Sequence, residues 1–139
     1  MVNDLNIFLN KKILIYGLGK SGLSAFKFLK NKSDVYLYDD FQSNFKLIGI
    51  QKKLVKLRKI STLNFDLIVI SPGININKCK LSKFLKKNKN KIFSDLDVFY
   101  EFNKNKCITI TGTNGKSTTC QLLYEVLSKQ KFDVKLVGN

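Results

Sequence analysis

A short apolar segment, a glycine-rich loop and a segment of helical pattern follow one another twice in this chain. The apolar segments are residues 12–16 (KILIY) and 107–111 (CITIT), and glycines and then apolar residues at helical spacing come after each of them. Strand, loop and helix in that order are typical of parallel sheets covered by helices. The sequence therefore predicts an α/β fold.

Other segments extend this pattern and divide the chain into two predicted domains. The predicted strands of the first domain are residues 12–16, 34–38, 65–70 and 91–93, with a weak one near 53–57. Its predicted helices are residues 23–30, a short one within 41–60, 78–89 and 96–102. The polar residues 103–106 (NKNK) indicate a linker. We expect a Rossmann-like parallel-sheet domain over residues 1–104. The start of a P-loop α/β ATPase domain is expected over residues 105–139, with strands at 107–111 and 132–137.

The charge of the chain first suggests a polyanion as partner. The net charge is +15, but Arg58 is the only arginine among the 25 basic residues. Because base recognition and bidentate phosphate contacts favour arginine, we expect no dedicated nucleic-acid surface. A basic nucleic-acid-binding module stays open as an alternative.

The composition of the chain excludes several other classes of protein and site. The chain has no histidine, which removes Ser-His and Cys-His catalysis, and Cys79, Cys107 and Cys120 are too widely spaced for a metal site. No apolar run reaches the roughly 18 residues of a membrane span, and the N-terminus lacks a signal-peptide pattern. We expect a cytoplasmic protein, a monomer, with no membrane span.

The first glycine loop has the pattern of a nucleotide-binding turn. Residues 17–22 (GLGKSG) match G-x-G-x-x-G between a predicted strand and helix, where the glycines serve a tight turn, the approach of a diphosphate and close packing. The start of the helix offers free N–H groups to the anion. Asp39 follows the next strand, 17 residues beyond Gly22, near the spacing at which an acid meets a ribose. An NAD(P)-binding oxidoreductase domain is one interpretation.

The second glycine loop has the order of a phosphate-binding P-loop. Residues 111–118 (TGTNGKST) lie between a predicted strand and helix, so that backbone N–H groups can surround a phosphate. Lys116 would reach the β and γ phosphates, and the Ser117 hydroxyl would bind Mg²⁺. Ile110 stands where the general pattern has its first glycine. A dehydrogenase has no need of this second site.

This unusual loop resembles that of the Mur ligases and the related folylpolyglutamate synthetases. Residues 110–119 (ITGTNGKSTT) carry the likeness. Residues 17–24 (GLGKSGLS) and 66–74 (DLIVISPGI) narrow it to the Mur ligases, since the folylpolyglutamate enzymes lack the N-terminal diphosphate-binding domain. Residues 94–99 (SDLDVF) and 137–139 (VGN) extend it over the whole chain. Within the family, it is most similar to members that add D-glutamate to UDP-N-acetylmuramoyl-L-alanine.

The resemblance implies that the first domain binds the UDP part of a sugar nucleotide rather than NAD. The residues implied in this site are Gly17, Leu18, Gly19, Lys20, Ser21, Gly22, Leu23, Asp39, Asp40, Gly73 and Asn139. Ser21 would give its hydroxyl to the diphosphate, and the two acids would lie by the uracil and ribose. Phe41 stands where family members often have a basic residue.

The resemblance implies ATP-driven amide formation, with ATP and Mg²⁺, in the second domain. The implied ATP-binding residues are Gly112, Thr113, Asn114, Gly115, Lys116, Ser117 and Thr118, with Lys116 as the catalytic cation and Ser117 as the metal ligand. A substrate carboxylate would attack the γ-phosphate, and the D-glutamate amine would displace phosphate from the resulting acyl phosphate. The family's other catalytic residues would lie beyond Asn139, so these 139 residues alone are expected not to ligate.

Overall fold

The residues described by the structure, a computed structural model, are 6–41 and 50–137. They belong to two units, Met1–Lys104 and Asn105–Asn139. Asn139 and part of the short helix predicted within residues 41–60 lie outside the described residues.

Four parallel strands form the sheet of the first unit. They are β1 (Lys12–Tyr16), β2 (Asp34–Tyr38), β3 (Leu67–Ile70) and β4 (Ile92–Ser94), in the order β2-β1-β3-β4. Ile13 of β1 lies opposite Val35 of β2 on one side and Leu67 of β3 on the other. Strand β2 thus lies on one side of β1 and β3 on the other, so the strand order reverses between β1 and β3. Ligands of open α/β sheets bind at the carboxyl ends of the strands at such a point. The predicted Rossmann-like α/β fold is confirmed.

Helices cover both faces of this sheet. They are α1 (Lys20–Leu29), α2 (Leu57–Ile60), α3 (Ser82–Lys87) and α4 (Asp95–Phe102), with 3-10 turns at Gln51–Lys53 and Lys89–Lys91. Ile13 and Ile15 of β1 lie in one buried cluster with Leu29 of α1. Leu14 and Tyr16 lie in a second cluster that includes Ile60 and Leu85. Successive side chains of a strand point to opposite faces, so an apolar strand such as β1 fits a sheet buried on both sides.

A capping box fixes the start of α4. The Ser94 hydroxyl accepts from the backbone N–H of Asp97 (3.2 Å), and the Asp97 carboxylate accepts from the backbone N–H of Ser94 (2.6 Å). Two N–H groups that the helix itself leaves unpaired are thereby satisfied. This fixes where the chain turns from β4 into α4.

The second unit contains the predicted loop and helix but not the predicted strands. Helix α5 spans Lys116–Lys129, whereas residues 107–111 and 132–137 form no strand in the structure as described. Both strand predictions are therefore wrong for these residues. A strand needs a hydrogen-bonded neighbour, which β propensity alone does not provide. Leu122 and Val126 of α5 are 59% and 51% exposed, and no described residue of this unit is fully buried.

Smaller differences also have local causes. The predicted weak strand near residues 53–57 is reduced to a single parallel bridge between Leu37 and Leu54, because α2 begins at Leu57. The helix predicted over residues 78–89 covers only Ser82–Lys87, since turns occupy its first residues. Within the ranges described, no helix has the length and apolarity to cross a bilayer.

Candidate functional site

Two glycines of the first loop are required by close packing. Gly17 follows β1 with φ +92°, and a Cβ built on it would lie 2.8 Å from the Cβ of Ser71. A Cβ on Gly22 would lie 1.8 Å from the carbonyl oxygen of Gly17. The loop, the first turn of α1 and the end of β3 can approach this closely only without side chains at residues 17 and 22.

Gly19 differs from these two glycines because it faces open space. No atom of the described residues lies within 4 Å of a Cβ built on it, and its φ of −70° suits any residue. It is the N-cap of α1, which no side chain in the described ranges caps. The N-terminal N–H groups of α1, with their partial positive charge, are therefore accessible to an anion beside Gly19.

The loop is held from both strands that flank β1. On the β3 side, the Ser71 hydroxyl donates to the carbonyl oxygen of Gly17 (2.7 Å). On the β2 side, the backbone N–H of Leu18 donates to Oδ2 of Asp39 (2.7 Å) and that of Gly17 to the carbonyl of Tyr38 (2.9 Å). We did not predict the role of Ser71, although its position just before Pro72-Gly73 at the end of a strand was a usable signal.

Asp40 lies in a polar cluster at the carboxyl ends of β1 and β2. Its Oδ2 accepts from the Tyr16 hydroxyl (2.9 Å), while its Oδ1 is buried and without a hydrogen-bond partner in the described part of the chain. Lys80 donates to the Asp40 carbonyl (2.9 Å). Lys80 was not predicted, because 40 residues separate it from Asp40.

Burial raises the pKa of two tyrosines beside Asp40, Tyr16 and Tyr38. It is the main cause of the raised pKa of Tyr16, followed by hydrogen bonds to Cys79 and Asp40. Burial, followed by the charge of Asp40, raises the pKa of Tyr38 to about 12. Both phenols are thus donors at neutral pH, and Tyr16 uses its proton to hold Asp40.

Leu18, Leu23 and Gly73, which were also predicted for this site, lie at the same edge of the sheet. Gly73 is in a turn closed by a hydrogen bond from Ile74 N–H to the Ser71 carbonyl (3.0 Å), and no described atom lies within 4 Å of a Cβ built on it. The side chains of Leu18 and Leu23 pack into the core, which leaves only their backbone for a ligand. Phe41 is 73% exposed.

The loop of the second unit curls around the ammonium group of Lys116. Gly112 and Gly115 have φ of +147° and +76°, and Gly115 is the N-cap of α5. The Lys116 ammonium donates to the carbonyl oxygens of Gly112 (2.6 Å) and Thr113 (3.3 Å). Ser117 and Thr118 follow in the first turn of α5. The loop thus combines a cation with a helix start that no side chain of the described residues caps, and this chemistry fits a phosphate group.

A cavity elsewhere on the first unit is separate from these loops. Its volume is about 380 Å³, and its lining includes Phe65, Lys83 and Phe84. It lies near the amino end of β3, whereas Gly17 follows the carboxyl end of β1. Because ligands of such sheets bind at the carboxyl ends of the strands, we do not place the site in this cavity.

Comparison with known proteins gives one family. Residues 11–93 match the family described as "Mur ligase MurD-like, N-terminal domain". The chain is similar to the UDP-N-acetylmuramoylalanine–D-glutamate ligases of Rickettsia prowazekii (38% identity over 97% of this chain and 31% of the relative) and Aquifex aeolicus (38%, over 92% and 28%). The chain thus spans about a third of the length of these curated relatives. A UDP-D-quinovosamine 4-dehydrogenase from Vibrio fischeri matches with 16% identity and a TM-score of 0.42, over 73% of this chain and 94% of that chain, which is too low to support an inference.

Proposed function

The chain belongs to the MurD-like family of Mur ligases, and on this premise we propose that it is the N-terminal part of an ATP-dependent ligase. The reaction would add D-glutamate to UDP-N-acetylmuramoyl-L-alanine in peptidoglycan synthesis, through an acyl phosphate and with release of ADP. This proposal is supported by relatives named for D-glutamate ligation that match along 97% of the chain. The first unit would bind the UDP-sugar, and the second would form part of the ATP site.

The proposal for the first unit depends on a difference in packing among the glycines of the first loop. Gly17 and Gly22 serve packing, whereas Gly19 leaves open space at the N-terminus of α1. This open space gives a ligand room to approach the backbone N–H groups at the start of α1. A diphosphate beside Gly19 would use the N–H groups of the first turn and the hydroxyl of Ser21, with Lys20 adding a positive charge.

The uridine would lie at the carboxyl end of β2. The buried Oδ1 of Asp40 has no partner within the described ranges, and a buried carboxylate oxygen without a donor is costly. A ribose hydroxyl or a uracil N–H would satisfy it. Asp39 and the open turn at Gly73 border the same space from the two strands that flank β1.

The loop of the second unit would hold the phosphates of ATP. Gly112 to Thr118 would surround them, and Lys116 would turn from the loop carbonyls to the β and γ phosphates, where it offsets the charge of the transferred group. Ser117 would contribute its hydroxyl to Mg²⁺, which neutralises phosphate charge when bound.

The proposal is tested by titration calorimetry of the 139-residue chain. UDP-N-acetylmuramoyl-L-alanine should bind saturably and with uridine selectivity, while NAD and an arbitrary DNA duplex serve as competitors from the two alternative classes. Tight NAD binding without UDP-sugar binding would instead favour an oxidoreductase domain. Duplex binding that weakens steeply with salt would favour a nucleic-acid module. With ATP and D-glutamate added, this chain should release no ADP.

A further inference from the structure

We propose that Asp39 is a positioning residue for the diphosphate, which acts by holding the backbone N–H of Leu18. The inference rests on the proposed UDP-sugar site and deepens it. The sequence position of Asp39 predicts a contact with the ribose, whereas its hydrogen bond to Leu18 assigns it to holding the glycine loop in shape. Its role would be to aim the N–H groups of residues 19–22 at the phosphates.

Both carboxylate oxygens of Asp39 are engaged by backbone donors. Oδ2 accepts from the N–H of Leu18 (2.7 Å), and Oδ1 accepts from the N–H of Phe41 (2.9 Å). Hydrogen bonds to a charged acceptor are about twice as strong as neutral ones. The carboxylate therefore ties the first loop to the turn after β2 by two strong bonds.

The loop needs such a tie because glycines stand on both sides of Leu18. Gly17 and Gly19 give the backbone more freedom than any other residue would. Leu18 is held in two ways, since its side chain is 2% exposed within the core and its N–H is bound by Asp39. A loop ordered before the ligand arrives avoids the entropy cost of ordering on binding.

The arrangement also separates the amides of the loop into two groups. The Leu18 N–H is directed to Asp39, so it is not offered to a phosphate. Gly19, at the start of α1, faces open space. The diphosphate would then be restricted to the N–H groups of residues 19–22, which sets where it lies along the loop.

The chain offers a matched control in Asp66. Its Oδ2 accepts from the backbone N–H of Lys12 (2.8 Å), which is the same kind of contact at the opposite end of β1. Asp66→Asn and Asp39→Asn each weaken a bond between a carboxylate and a backbone N–H. Only the second change touches the glycine loop.

The test compares the affinities of the 139-residue chain for UDP and for uridine, measured by NMR titration. Asp39→Asn should lower the affinity for UDP about tenfold and leave that for uridine unchanged, whereas Asp66→Asn should change neither. Equal losses for UDP and uridine would show direct contact with the nucleoside and overturn the proposal, as would an unchanged or increased affinity for UDP. A wild-type chain that binds neither compound would refute the proposed function itself.

A measurement on the wild-type chain covers the case in which Asp39→Asn fails to fold. On addition of UDP, the amide resonances of residues 19–22 should shift, while that of Leu18 should change little. A Leu18 amide that shifts as much as its neighbours would mean that it bonds the phosphates itself, and the proposal would be wrong.

Discussion

The α-carbon of Gly22 lies directly against the carbonyl oxygen of Gly17, so that a Cβ on Gly22 would be only 1.8 Å from that oxygen. This contact joins the end of β1 to the first turn of α1. The Ser71 hydroxyl donates to the same oxygen, which brings the end of β3 to the same point. The proposed phosphate loop is therefore shaped by backbone contacts among three elements of the first unit.

Gly22→Ala should destabilise the first unit severely. The new methyl group would overlap a backbone oxygen that cannot move without disturbing Ser71, and overpacking of this kind costs about 3 kcal/mol or more. Urea unfolding followed by circular dichroism measures the loss. Gly73→Ala is the control, because open space surrounds that position, and it should unfold like the wild type. Equal stability of the Gly22→Ala variant would contradict the packing described.

Gly19→Ala should leave the stability of the first unit nearly unchanged but weaken its binding of UDP. Its φ of −70° suits alanine and its methyl group would enter open space, so the free energy of unfolding should stay within about 0.5 kcal/mol of the wild type. The affinity for UDP should fall about tenfold, because the methyl group occupies space that the diphosphate needs. Calorimetric titration measures this, and unchanged affinity would place the diphosphate elsewhere.

Lys116→Met should abolish measurable binding of MgATP without affecting UDP. The substitution keeps a long side chain but removes the cation that now bonds the carbonyls of Gly112 and Thr113. Lys129→Met, in the last turn of α5, gives the same change in net charge away from the loop. Fluorescent-nucleotide titration of both variants measures the effect. Equal losses of MgATP affinity in the two variants would mean that the overall charge, and not the position of Lys116, determines binding.

Asp97→Asn should reduce stability in a way that depends on pH. Hydrogen bonds from the backbone N–H and then the hydroxyl of Ser94 hold the pKa of Asp97 below its ordinary 3.8. A lowered folded-state pKa means that the contribution is complete above about pH 4 and is lost as the pH falls through the folded value. Loss of this cap should cost about 1 kcal/mol at pH 7.

The difference between wild type and Asp97→Asn should shrink as the pH falls below about 4, as measured by urea unfolding between pH 7 and pH 2. Asp95→Asn is the control, since among the described residues the Asp95 side chain accepts only from the N–H of the neighbouring Leu96 (3.1 Å) and takes no part in the capping box. A difference that persists unchanged at pH 2 would exclude the ionised carboxylate as its source.

The sheet of the first unit was predictable because the local sequence of each strand already indicates a strand. Residues 12–16 and 34–38 were predicted as strands with the bounds that β1 and β2 have, since both are apolar runs between polar or glycine residues. Residues 91–93 were predicted one residue early, because the capping box at Ser94 decides where β4 ends. Local patterns were sufficient for these elements.

Contacts between residues that are far apart in the sequence could not be predicted from such local patterns. Residues 107–111 have strand propensity, yet no strand is assigned to them in the described ranges, because propensity alone does not form a ladder. The partner of Asp39 is Leu18, 21 residues earlier, and that contact depends on how β2 lies beside β1. The ligand contacts of the two loops stay predictions.

The function proposed for the first unit depends on the binding of a UDP-sugar diphosphate by the glycine loop after β1. The most direct measurement is a titration of the ¹⁵N-labelled 139-residue chain with UDP-N-acetylmuramoyl-L-alanine, followed by amide resonances. We expect saturable shifts that are largest at residues 19–22 and 39–41, with no matching response to NAD. Shifts confined to residues 112–118 or to the cavity lined by Phe65 and Lys83, or no saturation at all, would contradict it.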